Sequence, residues 1–119
     1  MMNKTTSIKG YHILADLWGC PPEKVNEASS LEEILIDTTH KVGFRVVGKS
    51  FHQFTPNGAT GVVLLETSHI SVHSWPEFNF VALDVYSCSG KLKAKKAIRH
   101  LVKVLNPEKA QIREVERFR

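Results

Sequence analysis

The segment covering residues 60–90 constrains the fold of this chain more than any other stretch. It combines strand-like apolar runs with two histidines, several serines, a Trp-Pro-Glu corner and a cysteine, in the sequence TGVVLLETSHISVHSWPEFNFVALDVYSCSG. A polar group buried without a partner costs about 1–3 kcal/mol. Core strands therefore seldom carry so many reactive side chains, and the segment predicts either a linked polar network or an active site.

Length and composition predict one soluble globular domain, because the chain has 119 residues, 42% of them hydrophobic and 24% charged. The net charge of +4 is interpreted as a solvated helix face and a charged end. No nucleic-acid-binding motif accompanies it, so a nucleic-acid partner is not expected. Cys20 and Cys88 form neither a disulfide framework nor a CxxC motif. No run approaches the roughly 20 apolar residues of a membrane span, so we expect a cytoplasmic protein with free thiols and no membrane partner.

The order of apolar patterns predicts an α+β two-layer sandwich in which two helices pack on one face of an antiparallel sheet. A capping-box pattern of Ser30 and Glu33 predicts the start of the first helix, and Gly43 predicts its end. Gly48 predicts a bulge in the second strand. The predicted elements, in the order β-α-β-β-β-α-β, cover residues 8–17, 30–42, 44–54, 62–74, 78–88, 92–105 and 110–118.

Three side chains of the central segment are reactive candidates: Ser68, His73 and Cys88. A Ser-His-acid hydrolase needs a nucleophile elbow, and the GxSxG pattern of that elbow is absent from the sequence. A metal shared by His69 and His73 is disfavoured, because four residues along a strand span about 13 Å. Asp84 is interpreted as a residue that orders a polar network rather than as a catalytic acid.

The position of Ser68 allows another kind of chemistry. Thr67 and Ser68 are small polar residues that precede a histidine inside an otherwise apolar run. A serine held in a strained turn can attack its own preceding carbonyl, because strain stored in the backbone lowers the barrier. The resulting ester can eliminate across the serine Cα–Cβ bond, which splits the chain, and hydrolysis then leaves a pyruvoyl group. This electrophilic ketone acts as the electron sink that pyridoxal phosphate would otherwise supply.

Residues 56–90, PNGATGVVLLETSHISVHSWPEFNFVALDVYSCSG, resemble the central motif of the small prokaryotic S-adenosylmethionine decarboxylases. That family has a Ser-His pair, a His-small-Trp-Pro-Glu segment and a strand that ends in Cys-Gly. The spacing from Ser68 to His73 and on to Cys88 matches the family pattern without a gap. The order of the flanking elements also fits, so the resemblance covers nearly the whole chain and is specific over residues 51–90.

The resemblance implies roles for the central residues. The bond between Thr67 and Ser68 is expected to be cut by the protein itself, and Ser68 is expected to become the pyruvoyl group. His73 is implied as the base that removes the serine α-proton during elimination, and the hydroxyl of Thr60 as a support for this processing. Cys88 is implied as the acid that protonates the carbanion left when CO2 departs.

The same resemblance implies a substrate and an assembly. S-adenosylmethionine forms a Schiff base with the pyruvoyl ketone and loses CO2, and the product donates its aminopropyl group to make spermidine. Phe54 is expected to stack on the adenine and Glu77 to bind the ribose hydroxyls, and an aromatic neighbour also suits the cationic sulfonium. Fragments 1–67 and 68–119 are expected to form one protomer of a homodimer. Its two active sites are expected at the interface, where the N-terminal strand of one subunit helps the other, without metal or pyridoxal phosphate.

Two positions depart from the family pattern. Thr67 stands where the family commonly has Glu, and Ser89 separates Cys88 from the following glycine. A β-branched residue at the scissile carbonyl can slow cleavage or alter strain. Ser68 and His73 are an odd number of residues apart, so they point to opposite faces of a regular strand. Their cooperation therefore requires a turn or a bulge near Ser68.

Two other functions remain open at this point. An enzyme of the same fold that decarboxylates arginine or ornithine would use the same chemistry with a different side-chain pocket. Phe54 and Glu77, the two residues expected to face adenosine, favour S-adenosylmethionine. An uncleaved, non-catalytic homologue that acts as a partner or regulator is the other alternative, and Thr67 is its sequence support.

Overall fold

The computed structural model describes residues 9–117, which form a six-stranded antiparallel sheet with helices packed on one face. The strands lie side by side in the order β2-β3-β4-β5-β1-β6. This arrangement confirms the predicted α+β sandwich. The strands are β1 (Gly10–Trp18), β2 (Val46–Gln53), β3 (Ala59–Leu65), β4 (His69–Trp75), β5 (Phe80–Ser87) and β6 (Lys109–Arg117). The helices are α1 (Pro22–Val25), α2 (Ala28–Val42) and α3 (Lys91–Leu105), and a 3-10 turn covers Pro76–Phe78.

The core lies between the sheet and the two long helices. Alternate residues of the inner strands are buried, so each of these strands has one apolar face, as the period of two requires. Helix α3 buries the apolar stripe that its sequence predicts, which covers the middle of the sheet. The buried residues of that stripe are Ala94, Ala97, Ile98, Leu101 and Leu105.

The predicted third strand, residues 62–74, is wrong as a single element. It forms two antiparallel strands, β3 and β4, which are joined by a turn at residues 66–68. The buried positions show why: Val63 and Leu65 are buried before the turn, and Ile70 and Val72 after it. Residues 65 and 70 are an odd number apart, so one unbroken strand could not place both on the same face. The sheet therefore has one strand more than predicted.

The start of the first long helix also differs from the prediction. Helix α2 begins at Ala28 and its N-cap is Glu27, whose side chain makes no capping hydrogen bond, so Ser30 lies inside the first turn rather than at the cap. The predicted end is confirmed, because Gly43 adopts the left-handed conformation with φ of 88° and its N–H donates to the Thr39 carbonyl. The short helix α1 was not predicted.

The strand ends agree with the predictions more closely. Strand β2 covers Val46–Gln53 instead of residues 44–54, and its pairing with β3 shifts register between Val46 and Gly48, where a bulge was predicted. Strand β6 lies at one edge of the sheet. The predicted ends at Ile8 and Phe118 lie outside the described residues.

The face of the sheet that the helices leave uncovered, called the open face below, carries most of the polar side chains of the central segment. Because β1, β4 and β5 are neighbours, their outward residues form one surface.

Among residues 9–117, no helix has the length and apolar character needed to cross a membrane.

Candidate active site

The turn between β3 and β4 holds Ser68 in a buried position. The Leu65 N–H donates to the Ser68 carbonyl at 2.9 Å, which closes the turn, and Ser68 is only 9% exposed. The Cys88 backbone N–H donates to Ser68 Oγ at 3.2 Å. The interruption of β geometry that sequence analysis required near Ser68 is therefore present.

The two departures from the family pattern touch each other beside this turn. Thr67 Oγ1 lies 3.5 Å from Ser68 Oγ and 3.3 Å from Ser89 Oγ, so three hydroxyl groups form one cluster. Cys88, which follows β5, lies at the same end of the sheet and is exposed. Its thiol donates to Tyr86 Oη at 3.6 Å. Ser68, Thr67, Cys88 and Ser89 are called the turn group below.

A second group of predicted residues lies at the other end of β4. Thr60 pairs with His73 across β3 and β4, and a hydrogen bond joins Thr60 Oγ1 to His73 Nδ1 at 3.1 Å. Glu77 lies in the 3-10 turn, and Phe54, which is 45% exposed, follows β2. All four line a pocket of about 590 Å3 and are called the pocket group below. The other lining residues are Asn26, Thr55, Pro56, Asn57, Ser74, Trp75 and Pro76.

The length of β4 separates the turn group from the pocket group within one chain. Ser68 precedes the first residue of β4, and His73 is five residues further on, which spans about 17 Å along a strand. The pairing of β4 with β5 agrees with this separation. His69, at the start of β4, pairs with Tyr86 at the end of β5 that precedes Cys88, whereas Trp75, at the other end of β4, pairs with Phe80. The structure thus brings Ser68 close to Cys88, but it does not bring Ser68 close to His73 in the same chain.

A polar network centred on Asp84 occupies the open face between the two groups. His12 Nε2–H donates to Asp84 Oδ2 at 2.6 Å, and His69 Nε2–H donates to the same oxygen at 3.1 Å. Ser71 donates to the other oxygen. Partial burial acts to raise the pKa of Asp84, but the hydrogen bonds from Ser71, His12 and His69 outweigh it and hold the pKa below its ordinary value. Asp84 therefore orders a network, as predicted.

His12, Ser71 and Tyr86 also belong to this surface, although they were not among the predicted site residues. Their outward positions follow from strand alternation, but their proximity depends on register. His12 and Tyr86 are direct partners across β1 and β5, and Ser71 is the partner of Asp84 across β4 and β5. The alternation of polar residues could have shown that these side chains point outward. It could not have shown that they lie together, because that depends on the order of the strands in the sheet.

One group of three possible metal ligands comes together within residues 9–117: His12, His69 and Asp84, whose ligand atoms all lie within 4.8 Å of one another. Two histidines and a carboxylate are a ligand set that divalent transition metals accept. Here both histidines are hydrogen-bonded to the Asp84 carboxylate. His73, considered above as a ligand with His69, is not part of this group. The expectation of a metal-free enzyme remains a prediction.

Fold and site together define a class of protein: a two-layer α+β sandwich with a buried turn serine whose hydroxyl accepts a hydrogen bond from the backbone N–H of a cysteine. The family model described as S-adenosylmethionine decarboxylase matches residues 11–118. The chain belongs to the S-adenosylmethionine decarboxylase family.

Individual relatives agree with this assignment. The chain is similar to the S-adenosylmethionine decarboxylase proenzyme of Persephonella marina, with 45% identity over 108 residues, covering 91% of this chain and 81% of the relative. The proenzyme of Methanococcus maripaludis is 35% identical over 108 residues, covering 91% and 88% of the two chains. The crystal structure of the Aquifex aeolicus adenosylmethionine decarboxylase matches with a TM-score of 0.88 and 37% identity, covering 92% and 91%.

Proposed function

We propose that this protein is a pyruvoyl-dependent decarboxylase of S-adenosylmethionine that matures by cutting its own chain between Thr67 and Ser68. The similar proteins from Persephonella marina and Methanococcus maripaludis are named proenzymes of that decarboxylase, which supports both the substrate and the maturation step. We further propose that its product supplies aminopropyl groups for spermidine and that the enzyme works in the cytoplasm.

The turn at Ser68 fits the proposed cleavage. The Ser68 carbonyl is held by the Leu65 N–H, and Ser68 Oγ is held by the Cys88 N–H, so the attacking hydroxyl has a fixed position. The pyruvoyl group, once formed at position 68, supplies an electrophilic ketone that accepts electrons from the substrate. Its site lies beside Cys88, the proposed proton donor.

The observation that carries the proposal is the division of the predicted residues between the two ends of β4. The turn group holds the nucleophile and the thiol, whereas the pocket group holds the proposed processing base and the substrate-binding side chains. Neither group is complete alone. A two-fold dimer that places the ends of two sheets against each other would complete two sites, each with Ser68 and Cys88 from one subunit and Thr60 and His73 from its partner.

The pocket group suits the proposed substrate. The pocket that these residues line has a volume of about 590 Å3, which lies within the usual range for small-molecule sites. We propose that the exposed ring of Phe54 stacks on the adenine and that Glu77 accepts hydrogen bonds from the ribose hydroxyls. Large apolar side chains exposed on the open face, Leu64 and Trp75, offer contact area for the partner subunit.

The first test is the intact mass of the purified protein under denaturing conditions. We expect fragments 1–67 and 68–119, with the second fragment carrying the mass change of a serine converted to a pyruvoyl group. Decarboxylation of S-adenosylmethionine, arginine and ornithine is then compared, and turnover of arginine but not S-adenosylmethionine would refute the proposed substrate. A chain that stays whole and shows no carbonyl reactivity would favour the non-catalytic homologue.

The second test asks whether His73 acts across the dimer. Ser68→Ala and His73→Ala chains, carrying different tags, are each expected to stay uncut when purified alone. After co-expression, the His73→Ala chain should be cut, because its Ser68 meets His73 of the Ser68→Ala partner. Replacing exposed His40 by Ala is the matched control, and that chain should cut normally. Cleavage of the His73→Ala chain alone would show that His73 is not the base, and an uncut mixture would show that it does not act in trans.

A further inference from the structure

The ring of Tyr86 is fixed on the open face by contacts from three other strands. It stacks on His69 with ring centroids 5.8 Å apart and an interplanar angle of 23°. It makes an edge contact with His12 at 5.6 Å, and the Arg117 guanidinium lies over it at 5.4 Å. A side chain packed between β1, β4 and β6 has little freedom, so its hydroxyl has a defined position.

Gly10 makes room for this hydroxyl. A Cβ atom at Gly10 would lie 2.3 Å from Tyr86 Oη and 2.8 Å from two ring atoms, which is closer than packed atoms allow. Any residue larger than glycine at position 10 would therefore displace the ring. The phenol and the first residue of β1 fit each other closely.

The positioned hydroxyl meets the thiol of Cys88. Cys88 follows Tyr86 by two residues at the end of β5, and its S–H donates to Tyr86 Oη at 3.6 Å. A neutral phenol can both accept and donate a hydrogen bond. The hydrogen bond with Cys88 raises the pKa of Tyr86 above its ordinary value, as expected for the arrangement in which the Tyr86 O–H donates to the sulfur.

We propose that Tyr86 is a positioning residue for the decarboxylation, which accepts a hydrogen bond from the Cys88 thiol before proton transfer and donates one to the thiolate afterwards. This inference rests on the proposed function, in which Cys88 is the proton donor. In the transfer, the Cys88 S–H bond breaks, its proton goes to the substrate carbon that has lost CO2, and its electron pair stays on sulfur. The O–H of Tyr86 then stabilises the thiolate until solvent returns a proton.

Loss of this positioning has a chemical signature. A proton delivered to the wrong carbon, the former ketone carbon at position 68, leaves an amine there after hydrolysis and releases the substrate portion as an aldehyde. Fragment 68–119 then begins with alanine, and the enzyme molecule is inactive. The identity of this first residue therefore reports where the proton went, independently of the reaction rate.

Tyr86→Phe tests the inference, with Tyr11→Phe as the matched loss of a hydroxyl from the other tyrosine of the chain. Tyr86→Phe keeps the ring contacts, so we expect normal cleavage at Ser68 and an unchanged KM. Removing a hydrogen bond to a charged group should lower kcat by about 10- to 100-fold and raise the share of fragments that begin with alanine. Gly10→Ala, which displaces the ring but keeps the hydroxyl, should reproduce both effects.

A spectroscopic measurement checks the contact without turnover. In the uncut Ser68→Ala chain, the infrared S–H band of Cys88 should move to higher wavenumber when Tyr86 becomes Phe, because the thiol loses its acceptor. The S–H band of buried Cys20 serves as an internal reference. If the native enzyme turns over and Tyr86→Phe matches it in kcat, first residue and S–H band, the inference is overturned while the proposed function stands. If the native chain neither cuts itself nor decarboxylates, the proposed function fails instead.

Discussion

Replacing Asp84 by Asn should destabilise the fold in a way that depends on pH. The Asp84 carboxylate is 21% exposed and accepts hydrogen bonds from His12, His69 and Ser71. The asparagine amide keeps one acceptor oxygen. Its NH2 group takes the place of the second carboxylate oxygen and cannot accept a hydrogen bond from the donors there. The variant therefore loses the charge and at least one of the hydrogen bonds to it.

The expected loss is about 2–3 kcal/mol at pH 7, because hydrogen bonds to a charged group contribute about 1.5–3 kcal/mol. The pKa of Asp84 is lowered in the folded protein, so the carboxylate binds its proton less tightly there than in the unfolded chain. This stabilisation is fully present above the ordinary aspartate pKa of about 4 and is lost as the pH falls through the folded-state value. The difference in unfolding free energy between the native chain and the Asp84→Asn variant should shrink accordingly in acid.

Urea unfolding measures this difference in the Ser68→Ala background, where a single uncut chain unfolds. All samples are compared at one protein concentration, since dimerisation adds to stability. Asp16→Asn is the matched control, because Asp16 of β1 lies on the same open face of the sheet as Asp84 and forms an ion pair with exposed Arg113 at 3.5 Å. That pair should contribute less than about 1 kcal/mol. Equal losses for the two variants, or a loss at Asp84 that persists unchanged in acid, would refute the reasoning.

Three further predictions address the core, the thiols and metal dependence. Leu101→Ala should cost about 2–5 kcal/mol in urea unfolding, because Leu101 is fully buried, whereas Leu92→Ala, at a side chain that is 63% exposed, should cost far less; similar costs would contradict the packing described. Burial raises the pKa of Cys20 to about 11, so iodoacetamide at pH 8 should modify exposed Cys88 and leave Cys20 intact by peptide mass; modification of Cys20 would show that its site opens. Treatment with EDTA should leave decarboxylation unchanged, and a loss restored by Zn²⁺ would overturn the expectation of a metal-free enzyme and point to His12, His69 and Asp84.

Much of the fold was predictable because its signals are local. Helix α3 shows an apolar residue every three or four positions, and that pattern alone identified both the element and the face it buries. The outward side of β5, which carries Asp84 and Tyr86, likewise follows from alternation with a period of two. The start of α2 was not predictable in this way, since Ser30 and Glu33 satisfy a capping pattern that the helix does not use.

The break between β3 and β4 was harder to predict, although its signal was in the sequence. The apolar residues on both sides read as one long strand, and only the change in which alternate positions are buried shows that the chain turns back at residues 66–68. This turn places Ser68 beside Cys88, which is twenty residues away along the chain. Without this turn, Ser68 would be an ordinary residue within a regular β-strand.

The sequence by itself determined most of the long elements and the faces that they bury, because these depend on neighbours within a few positions, and it offered Ser68, His73 and Cys88 as reactive candidates. Only the tertiary structure decided which of those residues meet. Strand order and register placed Ser68 near Cys88, and His12 and His69 around Asp84, but left His73 at the far end of β4. The pairing of β1 with β5, which brings His12 to Asp84, joins strands that are distant in the chain, and the short-range patterns that identify each strand do not specify it.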